Sequence, residues 1–329
     1  MENVVIVTGG SGHIGNVLVR ALLSKGYKVG VIDLDPKDKA LEGLDIEYYQ
    51  GDIRDLDFLT KIFKKAKYVC HLAGIISIAP GKEKLMYDVN VEGTKTVIEA
   101  CKKAKVKRLL YTSSIHALYE PPKGIPIIEK LAKITGVKDE YGKTKILATQ
   151  EVLKASKQDL DTVVVYPTGI VGPYDFRHSE FGSLIRDARK YSKVFYIEGG
   201  YNFVDVRDVA NGIILALEKG KSGEGYLLAG QGITILELFQ TLAELTNTPG
   251  PKIKAPTCII KFLAPIAEFF YKLLKKKPVF TEYAIDVLHS NHLTDSSKAE
   301  KELGFKARDI YQTIKDTLAW YEGKDVGVK

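Results

Sequence analysis

Short apolar runs alternate with helically spaced stretches through the first half of the chain. VVIVT (4–8), KVGVID (28–33), IEYYQG (46–51), YVCHLAG (68–74), RLLYTSS (108–114) and DTVVVYP (161–167) each read as a strand. Between them, Val17–Lys25 sets Val17, Leu18, Ala21 and Leu22 on one side of a helix that Gly26 stops. Further helices are predicted over about 56–64, 82–104 and 139–157. Strands alternating with helices imply parallel βαβ units with right-handed crossovers. The strands are nearly all apolar and rich in Val and Ile, as strands covered on both faces should be. The predicted fold class is therefore α/β, a doubly wound parallel (Rossmann) sheet over residues 1–166, with a smaller lobe after it.

The second half is looser. NFVDV (202–206) reads as a short strand, 207–219 as a helix, GYLLAG (225–230) as a strand and 233–247 as a helix. The larger domain is assigned residues 1–166 with returning segments near 203–230, and the smaller lobe mainly 167–202 and 231–329. A length of 329 residues suits two such lobes.

Chemistry enters with the turn after the first strand, where Gly9, Gly12 and Gly15 recur every third residue. A helix start offers free N–H groups and partial positive charge, and a diphosphate can rest there only if no side chain blocks it. Gly9 permits the tight turn, Gly12 lets backbone meet phosphate, and Gly15 lets the helix lie close on the sheet. His13 and Ile14 lie in the same turn. Asp33, ending the second strand, can accept both ribose hydroxyls of an adenosine and would repel a 2′-phosphate, which favours NAD over NADP; Lys37 and Lys39 are the counter-argument, and a turn or cap role for Asp33 the alternative. Asp52 could accept from the adenine amino group with Ile53 against the ring, or simply cap a helix.

Tyr141 and Lys145 are four residues apart on a predicted helix and face the same way. An ammonium beside a phenol lowers the phenol's pKa, and such a tyrosine can exchange a proton with a carbonyl or alcohol oxygen. Ser114, at the end of a strand on the glycine-turn edge, would donate to the same oxygen.

Together TGGSGHIG (8–15), Asp33, GDIRD (51–55), HLAG (71–74), VNVEGT (89–94), YTSS (111–114), YGKTK (141–145), YPTGIVGP (166–173) and FVDVRDVA (203–210) resemble the extended short-chain dehydrogenase/reductase superfamily. The pattern is closest to its dihydroflavonol-reductase and 3β-hydroxysteroid-dehydrogenase-like group. The resemblance implies Tyr141 as acid/base, Lys145 on the tyrosine and the nicotinamide ribose, and Ser114 orienting the substrate oxygen. It also implies Leu72, Ala73, Gly74, Asn90 and Thr112 on the cofactor side, with Pro167 and Ile170 bordering the nicotinamide. Homodimerisation is implied by resemblance alone. Sugar-nucleotide epimerases of this branch often carry an arginine just ahead of the FVDV-type strand; here Tyr201 and Asn202 stand there, which speaks against a nucleotide-diphosphate substrate.

Around this site His116, Tyr119, Tyr166, Tyr174, Phe176, His178, Phe181 and Phe203 are aromatic and weakly polar, suited to an apolar ketone or alcohol. The expected activity is NAD(H)-dependent transfer of a hydride between nicotinamide and a ketone or secondary alcohol. An NDP-sugar epimerase or dehydratase with retained NAD is the alternative. A redox sensor without enzymatic activity is disfavoured by the intact Ser114, Tyr141 and Lys145.

The formal charge of +7 is spread along the chain and, without a binding motif, does not point to nucleic acid. Cys70, Cys101 and Cys258 share no metal spacing and read as reduced thiols of a cytoplasmic protein with no signal peptide and no metal site. The apolar stretch 256–274 is broken by Lys261, Pro265, Glu268 and Lys272. It reads as a helix packing on the substrate lobe or a dimer partner; peripheral membrane contact at 256–277, with Lys275–Lys277 at headgroup level, is the disfavoured alternative.

Overall fold

The structure is a computed structural model that describes residues 3–76, 81–137, 139–187, 196–256 and 288–328. The strands are β1 (Val4–Thr8), β2 (Lys28–Asp33), β3 (Glu47–Gln50), β4 (Tyr68–His71), β5 (Arg108–Thr112), β6 (Thr162–Pro167), β7 (Gly169–Val171), β8 (Gly200–Asp205), β9 (Gly225–Leu228) and β10 (Gln231–Thr234). The helices are α1 (His13–Ser24), α2 (Leu56–Phe63), α3 (Glu83–Tyr87), α4 (Gly93–Ala104), α5 (Glu140–Ser156), α6 (Glu180–Arg186), α7 (Val206–Lys219), α8 (Ile235–Thr246), α9 (Ser297–Leu303) and α10 (Ile310–Tyr321).

Seven strands pair in the order β3-β2-β1-β4-β5-β6-β9, all parallel. This is the doubly wound sheet the alternation predicts. One face is covered by α2, α4 and α5 through Leu59, Phe63, Val97, Cys101, Ile146 and Val152; the other by α1, α7 and α9 through Leu18, Leu22, Ile213, Leu217 and Leu303. Burial on both faces explains why these strands carry almost no polar alternation. Since every strand runs the same way, Thr8, Asp33, His71, Thr112 and Pro167 end at one edge, where ligands bind in open α/β sheets.

A second sheet, β10-β8-β7, packs with α6, α8 and α10 around Val171, Ile185, Phe203, Ile233, Leu238 and Ile314. Residues 203–205 of β8 pair within this small sheet, while Val204 packs into the core of the large one together with α7, β9 and α9. Where β8 meets α7, Asp205 (2% exposed) accepts from the Arg207 guanidinium at 2.7 Å, Arg207 also reaches Asp316 of α10 at 2.7 Å, and Arg308 pairs with Asp208 at 2.7 Å.

The helix predicted over 82–104 is interrupted by a π turn at Asp88–Glu92. The Asn90 side chain there bonds both backbone groups of Ile75, accepting from its N–H at 2.8 Å and donating to its carbonyl at 2.9 Å. Cys70 and Cys101 are buried free thiols, whereas Cys258 and residues 257–277 of the suggested membrane-contact stretch lie outside the described residues. Among the described residues no helix is long and apolar enough to cross a membrane.

Candidate active site

The glycine turn leads from β1 into α1. Gly9 has φ +73°, and a Cβ there would lie 2.7 Å from the Ala73 nitrogen. At Gly15 a Cβ would lie 2.2 Å from the Gly9 carbonyl oxygen. Gly12 faces more open space, with the Gly9 oxygen at 3.3 Å the nearest atom to such a Cβ among the described residues. As N-cap of α1, Gly12 offers no side chain to the first N–H groups, and the first turn holds no acidic residue. The result is a bare, electropositive helix start that fits a diphosphate.

Asp33 lies beside this turn: its carboxylate accepts from the Ser11 N–H at 2.9 Å and the Leu34 N–H at 2.9 Å. Asp52 is forked by Arg54 at 3.0 and 3.1 Å, which holds its carboxyl below the usual range. Ile53 is only 6% exposed and packs into the core against Gly93. His13 turns its ring away from the helix start to hydrogen-bond the Pro173 carbonyl at 2.9 Å, so that burial lowers its pKa. Its neighbour Ile14 packs among the residues of the α1-side core.

Leu72, Ala73 and Gly74 continue β4 beneath the turn. The Leu72 N–H donates to the Thr8 carbonyl at 3.1 Å, and a Cβ on Gly74 would lie 3.1 Å from the Asn90 Oδ1 and 3.8 Å from the Lys145 Nζ. Asn90 donates onward to the Thr144 Oγ1 at 3.0 Å, which ties the 72–76 loop to α5. Pro167 closes β6 and Ile170 sits in β7, half-buried on the same edge.

The Asp139 side chain caps α5 by accepting from the Gly142 N–H at 2.5 Å, which puts Tyr141 in the first turn and Lys145 one turn on. Ser114, the residue that follows β5 by two positions, brings its hydroxyl close enough to the Tyr141 phenol to lower that group's pKa. Lys145, 6% exposed, donates to the Thr112 carbonyl at 3.0 Å and the Tyr111 hydroxyl at 3.4 Å, and its Nζ stands 6.0 Å from the Tyr141 ring centroid. Spacing alone predicts a depressed phenol pKa. The structure differs: burial pushes Tyr141 up to about 12, against the lowering effect of the Ser114 hydroxyl. Burial also draws Lys145 down to about 8. Desolvation outweighs the favourable pairing because the ammonium is spent on Thr112 and Tyr111 rather than on the phenol oxygen.

Of the aromatic candidates, His116 is brought to the tyrosine, its ring edge-on to Tyr141 with centroids 5.9 Å apart. Its Nε2 meets the Tyr201 hydroxyl at 3.2 Å, and burial lowers its pKa. Phe203 is 4% exposed inside the small-lobe core, 4.1 Å from Phe181. Tyr174 and His178 turn instead to α10. Tyr174 lies 6.2 Å from Trp320 with Arg20 over its other side, and His178 stacks on Tyr321 at 5.9 Å. Tyr201 is the neighbour sequence reasoning missed as a site residue; it shares a β8 face with Phe203, and that period of two is the signal that could have found it.

The model of the NAD dependent epimerase/dehydratase family matches residues 5–229. The chain is 33% identical over 321 residues to "Sterol demethylase protein B" of Methylococcus capsulatus, covering 96% of this chain and 97% of that one. It is 31% identical over 318 residues to "Sterol-4-alpha-carboxylate 3-dehydrogenase, decarboxylating" of Mus musculus, covering 91% and 85%. Among solved structures, that of gox2253 matches with a TM-score of 0.84 at 30% identity, covering 98% of each chain. The chain belongs to the NAD dependent epimerase/dehydratase family and is an NAD-dependent enzyme of it; oxidoreductase and epimerase/dehydratase chemistry both lie within that family.

Proposed function

We propose that this member of the family oxidises a secondary alcohol on a large apolar substrate of the sterol kind, or reduces the matching ketone, with NAD(H). The observation that carries the reading is the meeting of the Tyr141 phenol, the Ser114 hydroxyl and the Lys145 ammonium at the edge where the glycine turn opens.

In this reading Ser114 orients the substrate oxygen by hydrogen bonding, and Tyr141 takes its proton in the oxidative direction or returns it in the reductive one. Lys145 supplies the positive charge that favours the phenolate, against the burial that pushes the phenol up to about 12. The glycine turn would hold the diphosphate of NAD and Asp33 its adenosine ribose, and the bound nicotinamide would supply the acceptor for the hydride of the carbinol carbon. Asp33 favours NAD over NADP by its charge. Tyr201, His116 and the Tyr141 ring wall the substrate side with aromatic, weakly basic surface, and the two relatives named for sterols support an apolar substrate. We assign the dinucleotide to the lobe of residues 1–166 with α7 and β9, and the substrate chiefly to the smaller lobe.

The test is an NAD-reduction and NADH-oxidation screen over hydroxysteroids, sterol acids, flavonoid-like alcohols, simple ketones and sugar nucleotides. The Tyr141→Phe variant is expected to bind NADH as the parent does and to lose turnover. Retained turnover in that variant refutes the acid/base role; conversion of a UDP-sugar without added NAD replaces the reading by the epimerase one.

A further inference from the structure

Beneath the site lies a set of hydrogen bonds that the proposed mechanism does not use. His71, wholly buried at the end of β4, meets the Thr8 Oγ1 with its Nδ1 at 2.7 Å and the Thr94 Oγ1 with its Nε2 at 3.1 Å. The Thr94 hydroxyl donates to the Asn90 carbonyl at 2.6 Å. A carbonyl only accepts, so the one proton of Thr94 is committed there, and the His71 Nε2 must carry a proton and donate to Thr94. Burial keeps His71 neutral by drawing its pKa down to about 3, so its Nδ1 accepts from the Thr8 hydroxyl, and the Thr8 oxygen accepts from the Ala73 N–H at 3.3 Å. With the ring neutral, every hydroxyl proton in this chain is used once.

Both ends of this chain touch the site. At one end Ala73 is the residue that Gly9 approaches so closely. At the other, Asn90 lies in the π turn and clamps Ile75 and Thr144, and Thr144 donates to the Tyr141 carbonyl at 2.8 Å. The Tyr111 hydroxyl, which receives the Lys145 ammonium, lies beside the Thr94 side chain. Thr94 is 1% exposed and joins three elements at one oxygen.

We propose that His71 and Thr94 are positioning residues for the reaction: they lock the Ala73–Ile75 floor of the dinucleotide crevice, the Asn90 turn and the Lys145 platform into one register. The proposal rests on the function assigned above for its purpose, but its measurement does not need a substrate.

NADH binding is followed by fluorescence on the full-length protein for the parent, Thr94→Val, Thr94→Ser, His71→Gln, His71→Leu and the double variant His71→Leu/Thr94→Val, with thermal melts on each. Thr94→Val keeps the shape and removes the hydroxyl; binding is expected to weaken roughly tenfold. Thr94→Ser restores the hydroxyl and is expected to bind within about twofold of the parent. His71→Gln, which presents an N–H toward Thr94, should lose less than His71→Leu. The double variant should bind no worse than the weaker single variant, because one chain broken twice is still one break. Parent-like binding by Thr94→Val, failure of Thr94→Ser to restore it, or strictly additive losses overturns the proposal. Should His71→Leu not fold, the Thr94 pair decides alone. A parent that binds NADH yet turns over no alcohol or ketone counts against the proposed function and leaves this result standing.

Discussion

Replacing Lys145 by methionine should make the free protein more stable at neutral pH while abolishing its turnover. The ammonium is 6% exposed and has two acceptors, the Thr112 carbonyl at 3.0 Å and the Tyr111 hydroxyl at 3.4 Å, with no carboxylate among them. Burial takes its pKa from 10.5 to about 8. At about 1.4 kcal/mol per pH unit, holding the charged form in the fold at pH 7 costs about 3 kcal/mol. Methionine has similar length and no charge; losing the bond to Thr112 returns about 1 kcal/mol of that, for a net gain of about 2 kcal/mol. The pH dependence fixes the cause. The unfolded chain holds this proton up to 10.5 and the folded one only to about 8. The parent should therefore gain stability as pH rises from 8 to 10.5, with the full penalty present below that window and absent above it. The variant should lack that component of the rise. Urea denaturation of both proteins at pH 7 and pH 9.5, with NAD reduction assayed alongside, reads all of this. A Lys145→Met protein less stable than its parent at pH 7, or one with the same gain between the two pH values, would refute the reasoning.

Further outcomes follow from other contacts. Gly15→Ala puts a methyl 2.2 Å from the Gly9 oxygen, so NADH binding should fall at least tenfold in a fluorescence titration while the far-UV spectrum stays native. Asp33→Ser removes the carboxylate beside the turn, and the ratio of NADP to NAD affinity should rise; an unchanged ratio would count against Asp33 as the ribose acceptor. Asp205→Asn leaves the Arg207 guanidinium, 2% exposed, with Asp316 as its remaining carboxylate partner, and equilibrium unfolding should register a loss of about 2 kcal/mol.

How much of this was legible in the sequence depends on whether the signal was local. The alternation of Val-rich strands with amphipathic helices announced the large sheet, since burial on both faces removes polar residues from a strand whatever its neighbours. The glycine turn and the Tyr141–Lys145 spacing were legible because each is a short-range steric or helical rule. What escaped is non-local. The start of α1 at His13 rather than near Val17 was hidden by the glycines themselves, poor helix formers held by the turn. The π turn at Asp88–Glu92 depends on Ile75, fifteen positions from Asn90. The turning of Tyr174 and His178 toward Trp320 and Tyr321 depends on a helix nearly 150 residues later. The phenol's pKa failed for the same reason: spacing reveals that an ammonium is near, but only packing reveals that Thr112 and Tyr111 already occupy it.

The late arrival of β9 has a consequence for taking the molecule apart. β6 is buried along its whole length, and β9, its outer neighbour, comes only at residues 225–228, after the chain has passed through β7 and β8 of the other sheet. A fragment cut after residue 166 would therefore present Thr162–Tyr166 as a bare, greasy margin with unpaired backbone, a template for sticking to its own copies. The lobes are interleaved in chain order, so neither can be harvested intact by truncation. Engineering that aims to transplant the large sheet must carry the α7–β9 segment with it.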